Sequence, residues 1–119
     1  MKPTWDVVFH PAFAQEFGAL DAEVRVEMAA RLSLLEQFGP NLARPYADTL
    51  NASRFSNMKE LRFNAGGGVW RVAYAFDPAR QAIVLVAGDK AGKSQRRFYD
   101  RLIATADDRF DDHFSKGFH

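Results

Sequence analysis

The chain has 119 residues, 47% of them apolar and 26% charged, with no cysteine and a formal net charge of +1. These values describe a single domain over residues 1–119 with enough apolar material for a core, and they exclude a disulfide framework, a thiolate metal site and a thiol nucleophile. The longest apolar run, Ala82 to Ala87, is far below the ~18 residues of a membrane span. The opening residues lack the apolar stretch of a signal peptide, so a cytoplasmic location without a membrane partner is expected.

Trp5 to Phe9 is rich in β-formers and predicts a strand. Pro11 suits the first position of a helix, where its missing N–H costs nothing. Phe13, Phe17 and Leu20 then form one apolar stripe, and Asp21 is a suitable N-cap for a second helix carrying Val24, Met28, Leu32 and Leu35. Gly39-Pro40 stops that helix, so the pair reads as an antiparallel hairpin. Residues 40–57 lack periodicity and read as a connection, with one helical turn around Ala47.

Three strands follow. In Met58 to Asn64, Leu61 and Phe63 share a face with Glu60 and Arg62 opposite; Ala65 to Gly68 is a turn. In Val69 to Phe76, Trp70, Val72, Tyr74 and Phe76 alternate with Val69, Arg71, Ala73 and Ala75. Asp77 to Arg80 makes the next turn. Ala82 to Ala87 reads as a central strand buried on both faces. Ser94 caps a final helix over about 95–114, with Phe98, Leu102, Ala106, Phe110 and Phe114 on one stripe. The order β-α-α-β-β-β-α predicts an α+β domain with an N-terminal strand, a helix hairpin, a three-stranded antiparallel meander and a C-terminal helix.

Charge is divided along the chain. Residues 1–53 carry −3, residues 54–101 carry +6 and residues 102–119 carry −2. A basic block between acidic ends points to an anionic partner, nucleic acid above all, and reads equally as a solvated sheet face. Alternation puts Arg62 and Arg71 on one uncovered face, opposite the aromatic side. Asp89 and Lys90 follow the last strand, and Lys93, Arg96 and Arg97 surround the start of the helix, so together they could cradle a phosphate. Gly88 to Ser94 echoes a phosphate-binding loop, with one residue too few before Gly-Lys-Ser. The histidines His10, His113 and His119 have no ligand spacing, and Asp107, Asp108, Asp111 and Asp112 read as a solvated helix end. No metal and no cofactor are expected.

Asn57-Met58-Lys59-Glu60-Leu61-Arg62, Val69-Trp70-Arg71-Val72-Ala73-Tyr74 and Gly88-Asp89-Lys90 before an Arg-Phe-Tyr helix resemble the RelE/ParE toxin superfamily, in its phage-derived HigB-like branch. The likeness runs through nearly the whole chain, including Gly39 to Pro45. It implies a RelE-like fold and a toxin of a type II toxin–antitoxin module. RelE- and HigB-type members cleave mRNA, commonly on the ribosome, whereas ParE-type members inhibit DNA gyrase. The implied partners are a cognate antitoxin, expected to be a helix-turn-helix protein, together with mRNA and the ribosome.

By that resemblance Arg62 and Arg71 hold the scissile phosphate, Lys90 is the basic residue after the last strand, and Tyr99 is the helix tyrosine. The family's lysine before Leu-Arg is replaced by Glu60, so either Glu60 or Asp89 supplies the base, or the protein is no RelE-type nuclease. Lys90, Lys93 or Tyr99 could be the acid, and Lys59, Lys93, Arg96 and Arg97 are candidate RNA contacts. Two alternatives stand beside metal-independent RNA cleavage: a gyrase inhibitor without catalysis, and a degenerate toxin that only binds its antitoxin.

Overall fold

The computed structural model describes residues 5–116; His119 lies outside them. β1 (Asp6–Phe9) leads through His10 into α1 (Pro11–Gly18) and α2 (Ala22–Phe38). A short 3-10 turn, Gly39–Asn41, precedes β2 (Ala47–Thr49), β3 (Met58–Ala65), β4 (Gly68–Phe76), β5 (Gln81–Asp89) and α3 (Gln95–Lys116). The local signals account for most of these boundaries. Pro11 opens α1 while the His10 ring accepts from the Ala12 N–H at 3.1 Å. Asp21 stands at the N-cap of α2, although its side chain makes no capping bond. Gly66 and Gly67 take φ of +56° and +78°, which lets two residues close the β3–β4 hairpin.

The strands form one mixed sheet in the order β1-β5-β4-β3-β2. The expected meander β3-β4-β5 lies at its centre. β1 runs parallel to β5, from Asp6↔Gln81 to Phe9↔Val84. One expectation fails at the other edge: the chain around Ala47 is not a helical turn but β2, antiparallel to β3 with Ala47 opposite Leu61. Burial of Ala47 and a bond from the Arg62 N–H to the Tyr46 carbonyl at 2.9 Å favour the extended chain there. A three-residue edge strand carries too little pattern to be read locally.

A second expectation fails more consequentially. Both faces of the sheet are covered. Leu61, Phe63, Val72, Tyr74 and Val84 pack against Phe13, Val24, Met28, Leu32 and Leu35 of the helix hairpin. Met58, Ala73, Ala75, Ile83 and Leu85 pack under Phe98, Leu102, Ala106 and Phe110 of α3. Each buried Leu or Phe contributes about 1.5–3 kcal/mol, so α3 is held firmly. Arg62 and Arg71 do share one face and stand directly opposite each other across β3 and β4. That face is roofed by α3, and Arg71 is only 6% exposed. Alternation set the parity of the strand correctly; it carried no information about which face a distant helix would cover.

The acidic end of α3 is solvated only in part: Asp108 and Asp111 are exposed as expected, whereas Asp107 and Asp112 are engaged by other elements. Asp107 is buried and accepts from the Ser53 hydroxyl and, at 3.0 Å, from the Arg54 N–H. Asp108 and Asp111 lie 3.6 and 3.5 Å from the Arg54 guanidinium, and Asp112 lies 2.8 Å from His10 Nε2. His113 reaches Asp77 at 3.0 Å. Arg109 forks onto Glu16 of α1 with two bonds of 2.7 Å and donates to the Leu85 carbonyl at 2.9 Å. That carbonyl is available because Leu85 is the extra residue where the β4–β5 register shifts between Ala73 and Tyr74.

Candidate active site

Glu60 lies at the centre of the roofed face. It projects from β3 two residues before Arg62, and the residue is 3% exposed. Arg62 donates from Nη1 to Glu60 Oε2 at 2.8 Å. The Tyr99 hydroxyl, on α3, donates to Glu60 Oε1 at 2.9 Å. Arg71, from β4, donates from Nε to the Tyr99 oxygen at 3.1 Å and from Nη1 to the Trp70 carbonyl at 2.9 Å. Its Nε is 3.8 Å from Glu60 Oε1. Each of these donors is charge-assisted or directed at a charge, which makes the bonds stronger than neutral ones.

Lys90 completes the group from the far end of β5, where its N–H donates to the Val69 carbonyl at 2.8 Å. Its ammonium stands 5.9 Å from the centre of the Tyr99 ring. Burial, followed by the bond to Glu60, raises the Tyr99 phenol above its ordinary pKa, so it remains a neutral donor. Five residues from β3, β4, the β5–α3 connection and α3 thus converge: one carboxylate, two guanidiniums, one ammonium and one phenol. Arg62, with its side chain 24% exposed, is the more accessible guanidinium, and Arg71 lies beneath the helix.

Several expected residues are placed elsewhere. Asp89 pairs with Trp70 on the opposite pleat from Arg71. Its carboxylate accepts from the Val69 and Ala91 N–H groups, both at 2.9 Å. Those bonds, that from Ala91 foremost, hold its pKa below the ordinary value. It organises the start of β4 and the β5–α3 turn and does not join the cluster. Lys59 points with Leu61 to the hairpin side, between Thr49 and Tyr74. On α3, Arg96 shares the Tyr99 side, three residues away.

Lys93 and Arg97 instead line a groove on the β5 side of the helix, together with Arg101. Arg101 was missed in the sequence, although its spacing of four from Arg97 marks a shared helix face. Gly88 allows this close packing: a Cβ there would meet the Phe98 ring at 2.8 Å. No group of three or more metal-ligating side chains occurs among the described residues, and no described helix is long and apolar enough to cross a membrane.

Residues 15–111 match a family described as phage-derived Gp49-like proteins. A Mycobacterium tuberculosis protein with the provisional name toxin HigB3 is 47% identical over 103 residues, covering 87% of this chain and 88% of that relative. A second from the same organism, provisionally toxin HigB2, is 45% identical over 100 residues; these cover 83% of this chain but 49% of the longer relative. Among solved structures, a free-state arginine double mutant of the Escherichia coli toxin RelE superposes with a TM-score of 0.60 at 13% identity, covering 87% of this chain and 96% of that one. That likeness establishes a RelE fold.

Proposed function

The chain belongs to the Gp49-like family of phage-derived proteins, and on that footing we propose that it is the toxin of a type II toxin–antitoxin module that cleaves mRNA on the ribosome. The observation that carries the chemistry is the convergence of Glu60, Arg62, Arg71, Tyr99 and Lys90. RNA cleavage by the neighbouring 2′-hydroxyl needs a base, cations around the phosphorane and an acid for the leaving group. Side chains of a type suited to each of the three roles lie within one cluster, which supports this reading.

In this reading the substrate phosphate competes for Arg62 and Arg71. As it takes their N–H groups, the Glu60 carboxylate is released from its ion pairs to accept the 2′-OH proton. The 2′-oxygen then bonds to phosphorus, the bond to the 5′-oxygen breaks, and the Lys90 ammonium protonates the departing oxygen. The products are a 2′,3′-cyclic phosphate and a 5′-hydroxyl. Tyr99 holds Glu60 Oε1 and orients it. A positioned acid and a positioned base typically contribute ~10²–10⁴-fold each, and fixed cations at the phosphoryl oxygens act where negative charge develops. Arg96, on the Tyr99 side, suits an RNA phosphate beyond the reacting one.

Two details support Glu60 over Asp89 as the base. Glu60 faces both guanidiniums, whereas Asp89 is occupied by two backbone N–H groups on the other side of the sheet. The exchange of the family's lysine for Glu60 therefore leaves a site that is still chemically complete. A cognate antitoxin is the partner this reading requires.

The test is expression in a bacterial host, with primer extension across translated mRNAs. The expected result is growth arrest accompanied by new 5′-hydroxyl ends. Growth arrest without new ends, together with loss of supercoiling by purified gyrase, would overturn cleavage in favour of gyrase inhibition. No arrest at all would leave a protein that only binds its antitoxin.

A further inference from the structure

A groove of about 520 Å3 runs between β5 and α3, on the side of the helix away from Tyr99. Val86, Ala87 and Leu102 form an aliphatic floor, and Lys93, Arg97 and Arg101 stand along its rim. Arg31, Arg44, Arg54, Arg62, Arg71 and Arg109 all have carboxylate partners. Arg97 and Arg101 are exposed and have none among the described residues. Lys93 feels the charge of Asp89.

The groove also exposes a strand edge. β1 accompanies β5 only from Gln81 to Val84, while β5 continues to Asp89. On the other side, the Lys90 N–H bonds the Val69 carbonyl, and bonded pairs recur at every second residue of an antiparallel ladder. Gly88 therefore bonds Arg71, and Ala87 turns its own N–H and carbonyl outward, where no strand lies among the described residues. An open edge of this kind is a template for another chain.

We propose that this groove is a docking site for an extended acidic segment of a partner protein. The segment would add as a short strand beside Ala87, with aliphatic side chains over Val86 and Leu102 and Asp or Glu side chains on Arg97 and Arg101. This is strand addition, in which backbone bonds supply affinity and side-chain pockets supply selectivity. A single-stranded RNA fits less well. It has no use for a strand edge, and it asks for an exposed aromatic ring on which to stack its bases. Phe98, the aromatic residue lining the groove, is 8% exposed. The inference rests on this geometry and not on the cleavage reading, because α3 separates the groove from the Glu60 cluster.

The experiment uses the full chain and three probes: a short peptide of Ser alternating with Leu and Glu, its Lys-for-Glu twin, and oligouridine RNA. Binding is followed by fluorescence anisotropy, and protection of the Ala87 amide by hydrogen exchange. The acidic peptide is expected to bind and to slow exchange at Ala87. The double variant Arg97→Glu with Arg101→Glu keeps its circular dichroism and weakens binding at least tenfold, as loss of paired charges at an interface does. Tyr99→Phe binds the peptide like the parent, so failure of the cleavage reading and failure of the docking reading appear in different variants. The proposal is overturned by no binding of the acidic peptide, by binding without protection at Ala87, by an undiminished affinity in the double variant, or by RNA taking the rim instead.

Discussion

The Tyr99 hydroxyl donates to Glu60 at 2.9 Å across a sequence separation of 39 residues. The bond joins the last helix to the third strand and gives a buried carboxylate a neutral donor in addition to its cations. A neutral donor in that position orients the carboxylate without altering its charge.

Tyr99→Phe removes this donor and leaves Arg71 Nε without its acceptor. The fold should survive with a loss of about 1 kcal/mol, the usual worth of one such bond. RNA cleavage should fall by about tenfold to a hundredfold, within the range expected of a group that supports acid–base catalysis. The two measurements are a urea titration and the rate of appearance of cleaved ends. An unchanged cleavage rate removes Tyr99 from the site.

Arg71→Ala is expected to be destabilising. A substitution at an exposed arginine shifts stability by less than about 0.5 kcal/mol, but Arg71 is buried beside Glu60. Removing one partner of a buried pair costs about 3 kcal/mol or more. The exposed Arg101→Ala serves as the comparison, and the urea midpoints of the two variants measure the difference. Toxicity of Arg71→Ala should be lost, and refolded protein at low temperature separates instability from lost phosphate contact.

Tyr74→Phe should stabilise the protein. The Tyr74 side chain is fully buried, and its hydroxyl has no hydrogen-bond partner among the described residues. Burial, aided by the charge of Glu60, raises its pKa strongly, so the phenol stays neutral. A buried hydroxyl without a partner costs about 1–3 kcal/mol, and phenylalanine keeps the ring without it. The melting temperature should rise. A fall would mean that the hydroxyl has a partner in solution.

Acid should weaken the fold through two carboxylates in particular. The Arg109 hydrogen bond holds Glu16 below its ordinary 4.5, and the Ala91 N–H holds Asp89 below its ordinary 3.8. Depressed folded-state values add stability above the unfolded pKa, and that stability is lost as pH falls through the folded pKa. Stability in urea should therefore change little at these sites above about pH 5 and decline below it. Glu16→Gln and Asp89→Asn should each flatten that acid slope. A slope identical to the parent's in both would show that these carboxylates titrate alike in the folded and unfolded chain.

Much of this architecture is legible in local pattern. The stripe Val24, Met28, Leu32 and Leu35, the alternation of Leu61 and Phe63, and the apolar run from Ala82 each report burial through spacing alone; the first two are buried throughout, and the run is buried as far as Leu85, beyond which Val86 and Ala87 are half-buried. The cross-strand relation of Arg62 and Arg71 follows from the same parity once the glycine turn is assigned. The resemblance in the strand motifs also carried the family, because those motifs are contiguous in sequence.

Cover, partnership and side were decided only by the tertiary structure. Nothing local distinguishes a strand face open to water from one roofed by a helix, so the burial of Arg71 and Glu60 became visible only with α3 in place. The same holds for Asp107, whose partners Ser53 and Arg54 come from a loop more than fifty residues earlier. Asp89 and Glu60 are both acids on adjacent motifs, yet the pleat sends them to opposite faces of the sheet, where one ties backbone and the other gathers cations. Periodicity fixes which way a side chain points relative to its neighbours. What it meets there depends on packing between segments distant in the chain.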